Sequence, residues 1–487
     1  MTPLSQKFWD QGLPQLEILT YDRSCLQQGI VHIGVGGFHR SHQAYYMHQL
    51  LKQGKGADWT ICGMGIRPED QGIFEALKSQ DGLYSLITRH PDGQIDTEII
   101  GAITQFIWAY LDPENALEKL ASEHIKIVSL TITEGGYNFD ANTGDFDFSH
   151  PDIQFDLAKP EKPKTVFGFI AEALRRRMLN GIRSFTILSC DNIQHNGTIA
   201  QKMFFAFAEK QDPLVYEWMV ENTVFPNTMV DRITPLTTKE DTDYLETNHS
   251  IKDLWPVTCE PFIQWIVEDQ FPSGRPPLED VGVQFVSDVK PYEKMKLRLL
   301  NAGHSVLGIP GALFGHPTID ACMEDAVFVQ FMRSFMDEEA TPTLNPLPDI
   351  DLTTYKDSLQ TRFANPTIKD SVDRICSESS AKLPVFLIET IAENIKHKGQ
   401  FKRSALVIAS WYVYHKYGVN EQKKALVIMD NQASVLKKNT KNPIQFLSLS
   451  SIFGSIGSSP EFTELYTKAV QKLESGNSIR ELMIQTL

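Results

Sequence analysis

The segment 291–307, PYEKMKLRLLNAGHSVL, reads as a helix that carries a lysine where none is expected. With Lys296 set at zero and about 100° added per residue, Met295, Leu297, Leu299, Leu300, Val306 and Leu307 fall within about 100° of it. Lys294, Arg298 and Ser305 fall on the far side. An amine on an apolar face is desolvated, and desolvation favours the neutral form, which accepts protons nearer pH 7. The plainer alternative is a lysine that snorkels out or pairs with a carboxylate. His304 shares the lysine's side at about 80°, whereas Asn301 stands at about 140° and joins them only if the helix bends or breaks near Gly303. One base and two neutral hydrogen-bonding groups suit the oxidation of an alcohol. The base takes the hydroxyl proton as hydride leaves carbon, and the donors hold the developing alkoxide.

Tyr292 and Lys296 also make the Y-x-x-x-K spacing in which short-chain dehydrogenases use tyrosine as acid–base. Tyr412 and Lys416 repeat it in a helix with no other site character, so the spacing is near its chance rate and Lys296 is the stronger candidate. Upstream, IVHIGVGGFHR (30–40) sets Gly34, Gly36 and Gly37 where a β-branched run gives way to a helix. Glycines there permit a tight turn and let backbone N–H groups approach a pyrophosphate. His39 occupies the third glycine position of G-x-G-x-x-G, so the turn alone is equally a ligand-free bend. Beyond the second strand, Glu69 and Asp70 suit an adenosine ribose hydroxyl and oppose a 2′-phosphate. Arg67 beside them suits such a phosphate, so NAD is favoured and NADP stays open; a solvated helix start would also favour acids here.

These groups need a scaffold. Strands are expected over 30–34, 59–63, 83–89, 98–103, 125–132 and 184–190, alternating with helices over 38–51, 68–79, 113–122 and 166–179. Such alternation predicts a mostly parallel sheet with helices on its faces. The stretch 141–164, rich in Asp, Pro and Lys, reads as a loop. Past Asp288 strand signals fade, and helices are expected over 291–307, 325–337, 384–396, 404–417 and 460–475, with a proline-bearing connection over 341–351. The expected fold is α/β: a Rossmann-type dinucleotide-binding domain over 1–288 and a mainly helical substrate-binding and catalytic domain over 289–487.

The 487 residues hold 46 Lys and Arg against 61 Asp and Glu, a net charge of −15 that opposes nucleic acid or an anionic membrane as partner. The six cysteines show no C-x-x-C pair, so neither a disulfide framework nor a zinc site is expected, and no metal is. MTPLSQKFWDQGLP lacks the apolar core of a secretory leader and no run is long enough to span a bilayer, so a cytoplasmic location is expected.

With these residues in hand, the chain resembles the polyol-specific long-chain dehydrogenases. The likeness rests on IVHIGVGGFHRSHQ (30–43), TITEGGY (131–137), SCDN (189–192), TMVDR (228–232) and Lys296-x4-Asn301-x2-His304, in order and spacing. It implies NAD-dependent, metal-independent, reversible oxidation of a polyol to a ketose, D-mannitol to D-fructose, by a monomer. Lys296 would be the general base, and Asn301, His304 and Asn192 would bind the reacting oxygen. Glu134 would lie beside the lysine on a proton path to solvent. Asp231, Arg374 and Lys382 would hold substrate hydroxyls. Gly34, Gly36, Gly37, Phe38 and Arg40 would hold the pyrophosphate, and Glu69 and Asp70 the ribose. A reductase of hexuronates in the same family, or a catalytically silent NAD-binding regulator, are the rival expectations.

Overall fold

The computed structural model describes residues 2–5, 19–140, 143–347 and 349–487, so most of the N-terminal stretch read for a leader lies outside it, as does Pro348. The chain divides into two compact units, Met1–Arg89 with Gln94–Val289, and His90–Gly93 with Lys290–Leu487.

The first unit is built on five parallel strands: β1 (Gln28–Ile33), β2 (Thr60–Gly65), β5 (Ile103–Trp108), β6 (Ile127–Leu130) and β7 (Thr186–Ser189), in the order β5-β2-β1-β6-β7. β1 is buried almost throughout because helices cover both sheet faces. Alternation sends Val31 and Ile33 into one core with Met64, Val128 and the helix residues Phe167 and Phe204. Ile30, Ile61 and Ile127 enter the other, with Met47 and Leu50. The order reverses at β1, whose neighbours β2 and β6 leave in opposite directions, so a crevice opens at its carboxyl end. β3 (Tyr84–Arg89) and β4 (Ile95–Ile100) pair with β9 (Val257–Cys259). β8 (Thr228–Asp231) joins β10 (Gln264–Glu268) and β11 (Gln284–Val286) in a third sheet.

Three local expectations need correction. The helix expected over 38–51 breaks at His42 (φ −119°, ψ −88°) into Gly37–Ser41 and Gln43–Lys52. The strand expected over 98–103 ends at Ile100, and β5 starts at Ile103 as the edge of the parallel sheet. The stretch 141–164, of which 141 and 142 lie outside the described residues, contains the helix Pro151–Ala158. Ile153 and Leu157 seat that helix on the core, and bonds to the next helix tie it down. Asp156 accepts from the Lys164 and Thr165 N–H groups, both at 2.8 Å, at the start of the helix Val166–Leu179.

The second unit has no named strand among its described residues. A long helix runs Lys290–Lys296, Leu297–Asn301 and Ala302–Phe314, and its last stretch is buried along nearly its whole length by the helices Ala326–Phe335, Val372–Cys376, Lys402–Tyr417 and Ile479–Thr486. No helix of the described residues is long and apolar enough to cross a membrane.

Candidate active site

In the first unit the sequence-predicted residues gather at strand ends. Gly34 leaves β1 with φ +94°, and a Cβ there would stand 2.2 Å from the Thr131 carbonyl oxygen, so only glycine fits between the exits of β1 and β6. A Cβ on Gly36 would meet only the Gly34 oxygen, at 3.8 Å, which leaves open space beside the turn for a close-lying ligand. Phe38 stacks on His42 at 4.8 Å. Arg40 points inward: it is 2% exposed, donates to the Gly36 and Trp255 carbonyls and lies 5.1 Å from the Tyr84 ring centre. Its guanidinium thus braces the turn from beneath. Asp70 packs on Gly65, the last residue of β2, and accepts the Arg67 N–H at 2.9 Å, while Glu69 is exposed. Arg67 lies 3.9 Å from both acids, which offset its charge at the end of β2.

Glu134 opens a short turn after β6 and is exposed, Asn192 follows β7 and is exposed, and Asp231 ends β8 and is buried. Arg232, to which sequence reasoning assigned no role, joins β8 to the glycine turn's helix. Its guanidinium donates to the Ser41 carbonyl at 2.5 Å and to the Glu260 carbonyl at 3.0 Å.

His39, in the third-glycine position, stacks on His32 of β1 with ring centres 3.5 Å apart, and both are fully buried. Burial pushes His32 down to about 3, and burial together with the neighbouring His32 and Arg40 holds His39 well below its ordinary value. Both rings are neutral when folded, whereas the unfolded chain takes up protons below about pH 6.5. Stability present above that pH is therefore lost as pH falls, by about 1.4 kcal/mol per pH unit for each ring. For His32 the loss continues to about pH 3. Urea unfolding at pH 7 and pH 5 is expected to show a shallower acid loss in His39→Leu than in the parent chain. Equal losses would show that His39 does not contribute.

In the second unit the lysine helix departs from regular α geometry between its site residues. Leu297–Asn301 is a π turn, closed by Ala302 N–H donating to the Leu297 carbonyl. A π turn takes one extra residue, so everything beyond it falls back by about 100°, which brings Asn301 to about 40° from Lys296 and His304 to about 20°. The break that sequence asked for near Gly303 lies one turn earlier, and it puts all three groups on one face. Lys296 is 6% and His304 8% exposed. His304 stacks on Phe363 at 4.1 Å, which sets its ring plane. The Asn301 Oδ1 is buried and accepts no hydrogen bond, an orphan that a substrate hydroxyl would satisfy.

The helix's far side is buried as well. Arg298 donates to Glu393 at 2.6 Å and to the Thr343 carbonyl at 3.1 Å, and Lys294 lies 3.1 Å from Glu393. Burial would raise the Glu393 carboxyl, but these two cations hold it below its ordinary range. The ion pairs fix the helix from behind. Arg374 is exposed and bonded to Asp370 at 2.7 Å, and Lys382 Nζ lies 3.3 Å from the Arg374 carbonyl, so the structure brings these two together. Their segment packs on the lysine helix where Ile375 meets Gly308, four residues past His304. Among the described residues no three His, Cys, Asp or Glu side chains gather as a metal site.

Comparison with known proteins shows the family. Residues 28–280 match the mannitol dehydrogenase Rossmann domain and residues 288–474 the mannitol dehydrogenase C-terminal domain. The chain is 42% identical to a mannitol 2-dehydrogenase of Aspergillus clavatus, over 98% of this chain and 97% of that one. It is 44% identical to one of Aspergillus fumigatus, over 90% and 89%. Among solved structures it is similar to a Pseudomonas fluorescens mannitol 2-dehydrogenase in ternary complex with NAD and D-mannitol, at 42% identity and TM-score 0.88 over 100% of this chain and 99% of that chain. A substrate-free D-sorbitol dehydrogenase matches at 36% identity and TM-score 0.92, over 99% and 100%. With both domains matched in order, the chain belongs to the mannitol dehydrogenase family.

Proposed function

We propose that the chain is an NAD-dependent polyol dehydrogenase that oxidises a secondary hydroxyl of D-mannitol to give D-fructose, reversibly. The observation that carries this reading is the π turn, which aligns Lys296, Asn301 and His304 on one helix face. The names of the Aspergillus relatives and the ligands of the Pseudomonas enzyme support it.

The residues present fit the cofactor. Gly34 makes the tight turn, Gly36 leaves room beside it, Arg40 places positive charge beneath it, and Glu69 and Asp70 stand at the end of β2 for the ribose hydroxyls. When bound, NAD supplies the hydride acceptor. Lys296 takes the hydroxyl proton, and an amine acts as a base only in its neutral form, so oxidation is favoured at higher pH. Asn301, His304 and Asn192 hold the reacting oxygen as charge develops on it. Glu134, exposed after β6, passes the proton to solvent. Asp231 binds a substrate hydroxyl, as do Arg374 and Lys382. The Asp370 carboxylate engages Arg374, which leaves less free positive charge for a uronate carboxylate and favours a neutral polyol. Six unpaired cysteines, five of them buried, support a reducing cytoplasmic setting.

NADH formation with D-mannitol, arabinitol, sorbitol and mannonate at alkaline pH tests the reading. Mannitol is expected to be turned over with NAD well ahead of NADP. Reduction of fructuronate without turnover of any polyol would replace the polyol assignment with a uronate one.

A further inference from the structure

Asp191 precedes Asn192 at the end of β7, and its carboxylate is 6% exposed. It accepts three hydrogen bonds from the turn that leaves β6: from Ile132 N–H at 3.1 Å, Thr133 N–H at 2.7 Å and the Tyr137 hydroxyl at 2.7 Å. That turn carries Glu134. Thr133 sits at φ +64°, ψ 169°, a conformation nearly reserved for glycine, and Asn138, at the turn's end, is left-handed at φ +52°. A residue with a β-carbon stays there only where its surroundings hold it, and the bond from Thr133 N–H to Asp191 is such a hold.

The clamp is anchored in turn. Asn196, fully buried, donates from Nδ2 to the Asp191 carbonyl at 3.0 Å and to the Thr228 carbonyl at 3.1 Å, and accepts the Thr228 N–H at 2.9 Å. Thr228 donates to the Ser189 carbonyl at 2.7 Å and begins β8, the strand that ends in Asp231. One network therefore ties together the segments carrying Glu134, Asn192 and Asp231. Burial pushes the Asp191 carboxyl up despite its three donors.

We propose that Asp191 is a positioning residue, which clamps the strained Thr133 turn to the end of β7 and so sets Glu134 and Asn192 relative to each other. Its functional meaning rests on the reading of the chain as a polyol dehydrogenase. Asp191→Asn keeps the size but puts an amide NH2 against at least one of three donors. The kcat for mannitol is expected to fall on the order of 10²-fold, the cost of misplacing a catalytic group by about 1 Å, with KM for NAD unchanged. Adding Thr133→Gly, which adopts φ +64° unaided, is expected to restore part of that kcat. A parent-like kcat in Asp191→Asn, or a fall that glycine does not relieve, would overturn the proposal. Should Asp191→Asn fail to fold, Tyr137→Phe leaves both backbone bonds and gives the same test: a loss relieved by Thr133→Gly supports the clamp, and a parent-like kcat overturns it. Hydrogen exchange of amides 132–138 reads the clamp without substrate. Faster exchange in the variant supports it and unchanged exchange overturns it, even if the parent chain turned over no polyol and the functional reading itself failed.

Discussion

Replacing Lys296 with alanine is expected to lower kcat for D-mannitol oxidation by about 10²- to 10⁴-fold, the contribution of a positioned general base. The loss falls on kcat rather than on cofactor affinity, because the residues proposed to hold NAD all belong to the first unit. The helix survives the change. Its far face is held by Arg298 and Lys294 on Glu393, and its near face by Phe363 against His304. Alanine is also the best helix former. Small amines added to the variant are expected to recover part of the rate by entering the space the side chain leaves, and Lys296→Met, which fills it, is expected to show no such rescue. Tyr292 is the rival base by spacing. Activity that persists in Lys296→Ala but vanishes in Tyr292→Phe would transfer the role to the tyrosine.

The second large effect falls on folding. Gly34→Ala puts a Cβ 2.2 Å from the Thr131 carbonyl oxygen and 2.9 Å from its carbon. Neither side can yield easily. Thr131 N–H donates to Ile33 at 3.0 Å, its hydroxyl to the Gly34 carbonyl at 2.7 Å, and Gly34 N–H to Met64 at 3.3 Å. Overpacking costs about 1–3 kcal/mol, and a side chain at positive φ about 1–2 kcal/mol more. The expected result is a clear drop in the melting temperature of the first unit and loss of NADH binding by fluorescence. Gly37→Ala is the contrast, since its Cβ would meet Thr234 at 3.5 Å and Val257 at 3.7 Å, ordinary contacts that leave the fold intact. A Gly34→Ala chain that melts and binds like its parent would refute the account of the turn.

The alternation of strands and helices is legible from sequence because each element carries its own period, and the buried run 30–34 needs no partner to be recognised. The edge strand β5 is harder to see, because only Ile103 and Ile107 are buried apolar residues and Thr104, Gln105 and Phe106 are half-covered. The break at His42 is invisible to periodicity, because its ring bonds to the Gln264 carbonyl 222 residues away. The site divides in the same way. Lys296 stands out locally as a charge on an apolar stripe. Asp191 does not, since an acid after a strand is ordinary in sequence and its meaning comes from Ile132 and Thr133, 59 and 58 residues earlier. The inward turn of Arg40 likewise depends on Trp255, 215 residues on. Sequence shows which groups can do chemistry, and contacts between distant segments decide which of them are held in place.

The π turn between Lys296 and Ala302 makes the alignment of the reactive groups a matter of counting. Five residues occupy a stretch that regular coiling would fill with four, and the surplus residue has no task of its own beyond rotation. If the same five residues coiled regularly, the helix would keep full hydrogen bonding and an apolar stripe, yet Asn301 and His304 would swing about 100° round, more than a quarter-turn, from their places beside the lysine. The arrangement therefore belongs to the match between residue count and coiling: a helix one residue shorter between Leu297 and Leu300 would coil regularly with the shared face kept, whereas the present count needs the wide turn to reach it.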